Sequence, residues 1–188
     1  GGAVAASRSA QDWAAHPQGA AVRSEPLVDV EVRDRVPHGW RPVPLRPLAG
    51  VRVLDMTRVL AGPMGTRFLA ACGAEVLRID APFADPRDTN GGDIALGKRC
   101  ASLDLRRPDA RALFLELLAG ADIFVHGYRP GALDGLGLGA EVRAATRPGL
   151  VEVTLDAYGW TGPWARRRGF DTLVQFSSGI ADATTEWA

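Results

Sequence analysis

The stretch VRVLDMTRVLAGPMGTRFLAACGAEVLRID, residues 51–80, decides the fold. Its first six residues, VRVLDM at 51–56, form an apolar strand with Asp55 near the carboxyl end. GPMGTRFLAACG follows and reads as a helix that starts near Gly62 or Pro63 and stops at Gly73. EVLRID at 75–80 is the second strand. Strand, short helix and strand make a compact βαβ unit, which predicts a parallel sheet.

Downstream, DARALFLELLA at 109–119 is the next good helix. Ala112, Leu113, Leu115, Leu117 and Leu118 supply its apolar surface, and Gly120 is placed to end it. ADIFVHG and GLVEVTLDAYG add two more strands bounded by turns. The expected fold class is therefore α/β, a Rossmann-like three-layer domain with a mostly parallel sheet running from about residue 48 onward. Residues 1–47 hold Pro17, Pro26, Pro37, Pro42, Pro44 and Pro47 and one short extended piece, PLVDVEV at 26–32. They read as an extended amino-terminal arm or linker. The opening GGAVAASRSA lacks the basic-then-apolar order of a secretory signal.

Composition narrows the function. With 188 residues the chain can bury a substantial core, and its 22 basic and 22 acidic groups give a formal net charge of zero. That balance supplies no global electrostatic reason to bind nucleic acid. Lys98 is the one lysine, a bias that gene base composition can produce. Cys72 and Cys100 lie far apart without Cys-x-x-Cys spacing, which favours a reduced compartment and a cytoplasmic protein. His16, His38 and His126 are equally scattered, so no metal is expected. No apolar run approaches the roughly 18 residues of a membrane span.

A parallel α/β domain invites a dinucleotide, and Asp80 ends the second strand where a ribose-binding acid sits. The first crossover, however, reads AGPMG with Pro63 intruding, and GLGLG at 135–139 follows no convincing strand. The glycine signal is weak. GGDIALGKRC is no P-loop, because neither serine nor threonine follows Lys98. Lys98 and Arg99 can meet a phosphate by ion pairing or form solvated surface charge. In RRRGFDTLVQFSSG at 166–179, Asp171 is a surface turn residue, an ion-pair partner or a covalent catalyst. The arginines Arg166, Arg167 and Arg168 favour its ionised form, bind phosphate, or stay in a solvated turn.

Taken together, PLAGVRVLDMTRVLAGP at 47–63, RFLAACGAEVLRIDAP at 67–82, GKRCASLDL at 97–105, ADIFVHGYRPGALDGLGL at 121–138 and YGWTGPWARRRGFDTLVQFSSG at 158–179 resemble the class III coenzyme A transferases. This superfamily includes formyl-CoA and carnitine-CoA transferases and the α-methylacyl-CoA racemases, and the segments occur in its order. The resemblance implies that CoA moves between carboxylic acids through an aspartyl anhydride and an aspartyl-CoA thioester, with Asp171 as the covalent catalyst. It also implies that Lys98, Arg99, Gly127, Tyr128 and Arg129 contact CoA. Coenzyme A or acyl-CoA is then a substrate, and no cofactor is tightly bound.

Two positions depart from the formyl-transferase pattern. Leu60 replaces a glutamine near the reacting group, and Ala81 stands where an arginine can bind the coenzyme, which points away from oxalate or formate. Racemases carry a histidine before the equivalent aspartate, whereas Phe170 occupies that place here and exchanges no proton. Full members resemble interlocked dimers and are markedly longer, with a glycine-rich oxyanion segment downstream of the matching region. The expectation is therefore an amino-terminal portion, an incomplete large domain over 48–188. It is expected to be nearly inactive alone and to associate as a homodimer or with a complementary chain. A non-catalytic interaction module is the competing class.

Overall fold

The structure, a computed structural model, describes residues 4–36, 39–82 and 93–185. Pro37, His38 and the pair Gly91 and Gly92 lie outside the described residues. The chain forms two compact units, residues 32–155 and a second built from residues up to 31 together with those from 156 onward.

The first unit is a five-stranded sheet, every pair parallel, in the order β3-β2-β1-β4-β5. The strands are β1 (Arg52–Met56), β2 (Glu75–Asp80), β3 (Lys98–Ser102), β4 (Ile123–His126) and β5 (Val151–Thr154). Strand β2 occupies the expected residues 75–80, and β1 begins one residue after the expected start. Side chains alternate across the sheet, so Leu54, Met56, Ile79 and Phe124 meet one core while Val53, Val76 and Val125 meet the other. Phe114 and Leu118 of the helix Pro108–Ala119 fill the first core. Leu69 and Ala70 of the helix Ala61–Ala71 pack on the second. Buried on both faces, the central strands read as near-continuous apolar runs.

Helix ends follow local chemistry. Pro108 fits the first helical position, where its missing N–H is not needed. Gly120 does close that helix, but at φ −93 it stays right-handed, so its left-handed freedom is not used. Gly73 does use it: at φ +102 it follows the helix end, and the next N–H, on Ala74, donates to Leu69 O at 3.1 Å.

The second unit holds four short helices, which are numbered with the rest in chain order: α1 (Ala10–Ala15), α2 (Pro17–Arg23), α3 (Ala61–Ala71), α4 (Pro108–Ala119), α5 (Ala140–Thr146), α6 (Asp171–Ser178) and α7 (Ile180–Thr185). Helices α1 and α2 lie within the expected arm. Ser9 opens α1 through a capping box with Asp12, and Pro17 opens α2. Neither helix has an apolar stripe long enough to read from sequence. Packing within the unit compensates, because Gln18 is fully buried and donates to Tyr158 O at 2.7 Å and Thr161 O at 2.8 Å.

Candidate active site

Strand order reverses at β1, whose neighbours β2 and β4 lead to opposite edges of the sheet. Open parallel sheets bind ligands at the carboxyl ends of the strands flanking such a switch point. Here the place for such a crevice lies between Thr57, Arg58, Val59 and Leu60, which follow β1, and Gly127, Tyr128 and Arg129, which follow β4. The GYR segment thus follows β4, one of the two strands that flank the switch point.

Tyr128 is half-buried against the core of Leu54, Phe124 and Leu133. Burial pushes its hydroxyl up from the ordinary phenol value; the charge of Arg58 pulls it down and that of Asp80 pushes it up. Arg58 and Asp80 thus belong to its surroundings. The backbone of the segment is held from beneath: Tyr128 N–H donates to Nδ1 of buried His126 at 3.4 Å. The other ring nitrogen, Nε2, faces Glu152 Oε1 at 3.3 Å. With Nδ1 accepting, the fitting neutral tautomer carries its proton on Nε2. Arg143 also donates to Glu152, from Nε at 3.1 Å, and to Leu138 O. Burial pushes the Glu152 carboxyl up, but hydrogen bonds from His126 and Arg143 prevail and hold it down at about 2.

Lys98 and Arg99 are not gathered with the GYR segment. They open β3, an outer strand three positions from β4, or about 14 Å across the sheet. Their side chains point to opposite faces. The Lys98 side chain is fully covered, and its Nζ donates to Asp55 Oδ2 at 2.8 Å, Pro63 O at 2.8 Å and Thr66 Oγ1 at 2.7 Å. All three ammonium donors have internal acceptors. The expected coenzyme contact at Lys98 is accordingly replaced by an internal ion pair. Arg99 is exposed and lies 3.6 Å from Glu75. It lines a hollow of about 430 Å³ with Arg52, Glu75 and Glu116, at the amino end of the strands and opposite the crevice.

Asp80, weighed as a ribose-binding acid, instead accepts from Arg78 Nε at 3.1 Å and Nη2 at 2.9 Å. The third guanidinium nitrogen, Nη1, is buried without a hydrogen-bond partner.

Asp171 belongs to the second unit. It is exposed, opens α6, and accepts from Gln175 Nε2 at 2.6 Å. Of the arginines before it, Arg167 lies over the Trp164 ring at 4.1 Å. Around Asp171 the geometry is that of a helix-opening aspartate. Two residues earlier the chain passes close to its neighbours: a Cβ on Gly169 would lie 2.4 Å from Ala157 Cβ and 2.9 Å from the Tyr158 ring. Tyr158 in turn is buried, with its hydroxyl 3.2 Å from Ser177 Oγ of α6.

Residues 48–187 match the sequence pattern of CoA-transferase family III. The chain belongs to that family. Among its relatives is the succinyl-CoA–L-malate CoA-transferase alpha subunit of Chloroflexus aurantiacus, 37% identical over 148 residues, covering 72% of this chain and 35% of that protein. The acetyl-CoA:oxalate CoA-transferase of Acetobacter aceti is 38% identical over 152 residues, covering 75% and 39%. The succinyl-CoA:glutarate CoA-transferase of Mus musculus is 34% identical over 152 residues, covering 74% and 35%. Two crystal structures superpose on the fold. A CaiB/BaiF family protein from Brucella suis has a TM-score of 0.66 at 31% identity, covering 72% of this chain and 40% of that one. Rv3272 of Mycobacterium tuberculosis, in its orthorhombic form, has a TM-score of 0.66 at 34% identity, covering 73% and 41%. This family III chain thus spans about a third to two fifths of the length of these relatives. Among its described residues, no helix is long and apolar enough to cross a membrane.

The sequence reading missed Asp55, Thr57 and Thr66, which join Lys98 under the crevice. Two hydroxyl residues and one acid, 11 positions apart at most, carry no recognised spacing. The usable signal was an acid inside an otherwise apolar strand beside the chain's one lysine, since a buried charge needs a partner.

Proposed function

We propose that the full-length protein is an acyl-CoA:carboxylate CoA-transferase. A carboxylate of the enzyme attacks the thioester carbonyl, the C–S bond breaks, and CoA leaves as the thiolate from a mixed anhydride. The thiolate then attacks the enzyme's acyl carbon, releasing the donor acid and leaving an enzyme-bound CoA thioester. An acceptor acid repeats both exchanges in reverse, so no oxidant or further reactant is consumed. The observation that carries this reading is the family match over 48–187 with the GYR segment at the switch point of a parallel sheet. Tyr128 offers a ring for the nucleotide end of CoA, and Arg129 follows it.

Asp171 is the first carboxylate to test as the covalent group. It is exposed, and it follows a glycine whose place excludes a side chain. The full-length protein is incubated with acyl-CoA, trapped with hydroxylamine and mapped by mass spectrometry. An adduct on Asp171, lost in a folded Asp171→Asn variant together with turnover, supports the assignment. An adduct on another carboxylate keeps the transferase and removes Asp171 from the role. No turnover across a panel of acyl-CoAs and acids, with no CoA binding by calorimetry, defeats the transferase reading.

The active species is proposed to be a homodimer or a complex with a complementary chain, in keeping with the name "alpha subunit" carried by the Chloroflexus relative. Sedimentation of the full-length protein across concentration tests this, and a stable monomer overturns it. The 188 residues alone are proposed to turn over little acyl-CoA; robust transfer by them would refute that.

A further inference from the structure

A buried ionic knot lies directly beneath the β1 side of the crevice. Asp55, fully buried at the penultimate position of β1, accepts from Thr57 N at 2.9 Å and from the Thr57 hydroxyl with one oxygen. With the other it accepts from Thr66 Oγ1 at 2.6 Å and Lys98 Nζ at 2.8 Å. Lys98 also donates to Pro63 O in the first turn of α3. One carboxylate thus ties together β1, the residue that leaves it, α3 and β3. The helix closes onto the same point: a Cβ on Gly62 would lie 2.4 Å from Thr57 Cβ.

Between Thr57 and Gly62, the fixed ends, the chain takes a conformation it would not choose alone. Val59 has φ +70, a left-handed value that is an outlier for a β-branched residue. Leu60 follows at φ −133 and ψ −63, and its side chain is exposed. Residues held in such regions persist only where their surroundings over-determine them, and they cluster at ligand sites.

We propose that Asp55, Thr66 and Lys98 are positioning residues that hold Arg58, Val59 and Leu60 in a pre-formed, strained conformation against which the acyl-CoA is seated. This rests on the transferase reading above for the identity of the ligand. The ion pair makes no contact with the ligand; it acts through the loop, and the loop backbone forms one wall of the crevice. A ligand meeting a loop already in place does not have to order it on binding.

The discriminating variant is Thr66→Val in the full-length protein, which keeps the shape and removes the hydroxyl that links Asp55 to Lys98. Thr66→Ser keeps the hydroxyl and serves as the conservative control. Two readouts are made on folded protein: the dissociation constant for CoA by calorimetry, and tryptic cleavage after Arg58 followed by mass spectrometry. For Thr66→Val the dissociation constant is expected to rise about tenfold or more, with KM for acyl-CoA moving more than kcat. Cleavage after Arg58 is expected to accelerate, and Thr66→Ser is expected to match the wild type in both. Val59→Gly gives an independent arm. Glycine accepts a positive φ, so the same loop conformation is held at less cost and melting should move to higher temperature, with CoA affinity kept. Unchanged Arg58 cleavage and unchanged CoA affinity in Thr66→Val, or an unchanged or lowered melting temperature in Val59→Gly, would overturn the proposal. If the wild type binds no CoA, the transferase reading fails, while the cleavage contrast still decides whether the loop is held by the knot.

Discussion

One methyl group is enough to disturb the crevice at Gly62. The helix start and Thr57 approach so closely that alanine would overlap both Thr57 Cβ and Cγ2, at 2.4 and 2.5 Å. Neither side can retreat, because Thr57 is fixed twice to Asp55 and α3 is fixed through Thr66 and Lys98. Overpacking of this kind costs about 1–3 kcal/mol. Gly62→Ala is therefore expected to lower the urea midpoint of the full-length protein by that free energy divided by an unchanged slope. Tyr128 gives the complementary residue-scale test. Tyr128→Ala removes the ring from the GYR turn and should weaken CoA binding by calorimetry by about 1–3 kcal/mol, the usual worth of a base stacked on an aromatic side chain. Tyr128→Phe keeps the ring and should retain most of the affinity; equal losses in both variants would remove the ring from the nucleotide site.

Strand β5 carries its own acid-sensitive element. Glu152 is pinned between His126 of β4 and Arg143 of α5, and its carboxyl is held down at about 2. A folded value below the unfolded one means that the contribution is complete above about pH 4.5 and is lost as pH falls toward 2. Its size is on the order of 1–2 kcal/mol, after solvent screening of a partly exposed carboxylate is discounted. Thermal melting from pH 6 to 3 should fall less steeply in Glu152→Gln than in the wild type, and parallel curves would show that other carboxylates set the acid limit. The elements themselves were unequally legible. Strands β1, β2 and β4 and helices α3 and α4 announced themselves because both faces of the sheet are buried and the apolar runs stop at glycines. Strand β3 did not: KRCAS lies at a sheet edge with four of its five residues exposed, so no apolar pattern marks it. Neither role weighed for Lys98, phosphate contact or solvated surface charge, foresaw its burial beside Asp55. In a strand, Lys98 and Arg99 must face opposite ways, and only one of them can meet Asp55. The GYR segment came only through the family resemblance, although the strand before it is marked by its apolar run; the partners of a buried charge lie at separations of 32 to 43 residues and leave no such mark.

At the scale of the molecule, the two ends of the chain build one unit, and its amino-terminal helices fall outside the family match at 48–187. Gln18 is the centre of that association. Its amide nitrogen donates to Tyr158 O and Thr161 O, while its oxygen accepts from Trp164 N at 2.6 Å. Glu25 receives the N–H groups of Trp160 and Thr161. The turn at 158–164 therefore has much of its backbone hydrogen bonding supplied by side chains from well over a hundred residues earlier. Gly162, at φ +82, leaves the space: a Cβ there would lie 2.6 Å from Gln18 Oε1. The same turn carries Tyr158, which reaches Ser177 on the helix that Asp171 opens. A linker would tolerate any polar residue at position 18; a built-in clamp would not. Gln18→Ala removes the partner of two carbonyls and one N–H; the loss is greatest at the buried Tyr158 carbonyl, about 1–3 kcal/mol, and smaller at the more exposed Thr161 and Trp164. Hydrogen exchange on the full-length protein is the measurement that separates the two. The Trp164 amide should lose most of its protection in Gln18→Ala, while the amides of Val53 and Phe124 in the sheet keep theirs. Retained protection at Trp164 would mean that residues 158–164 hold their shape without the amino-terminal segment, and that the clamp is only a contact.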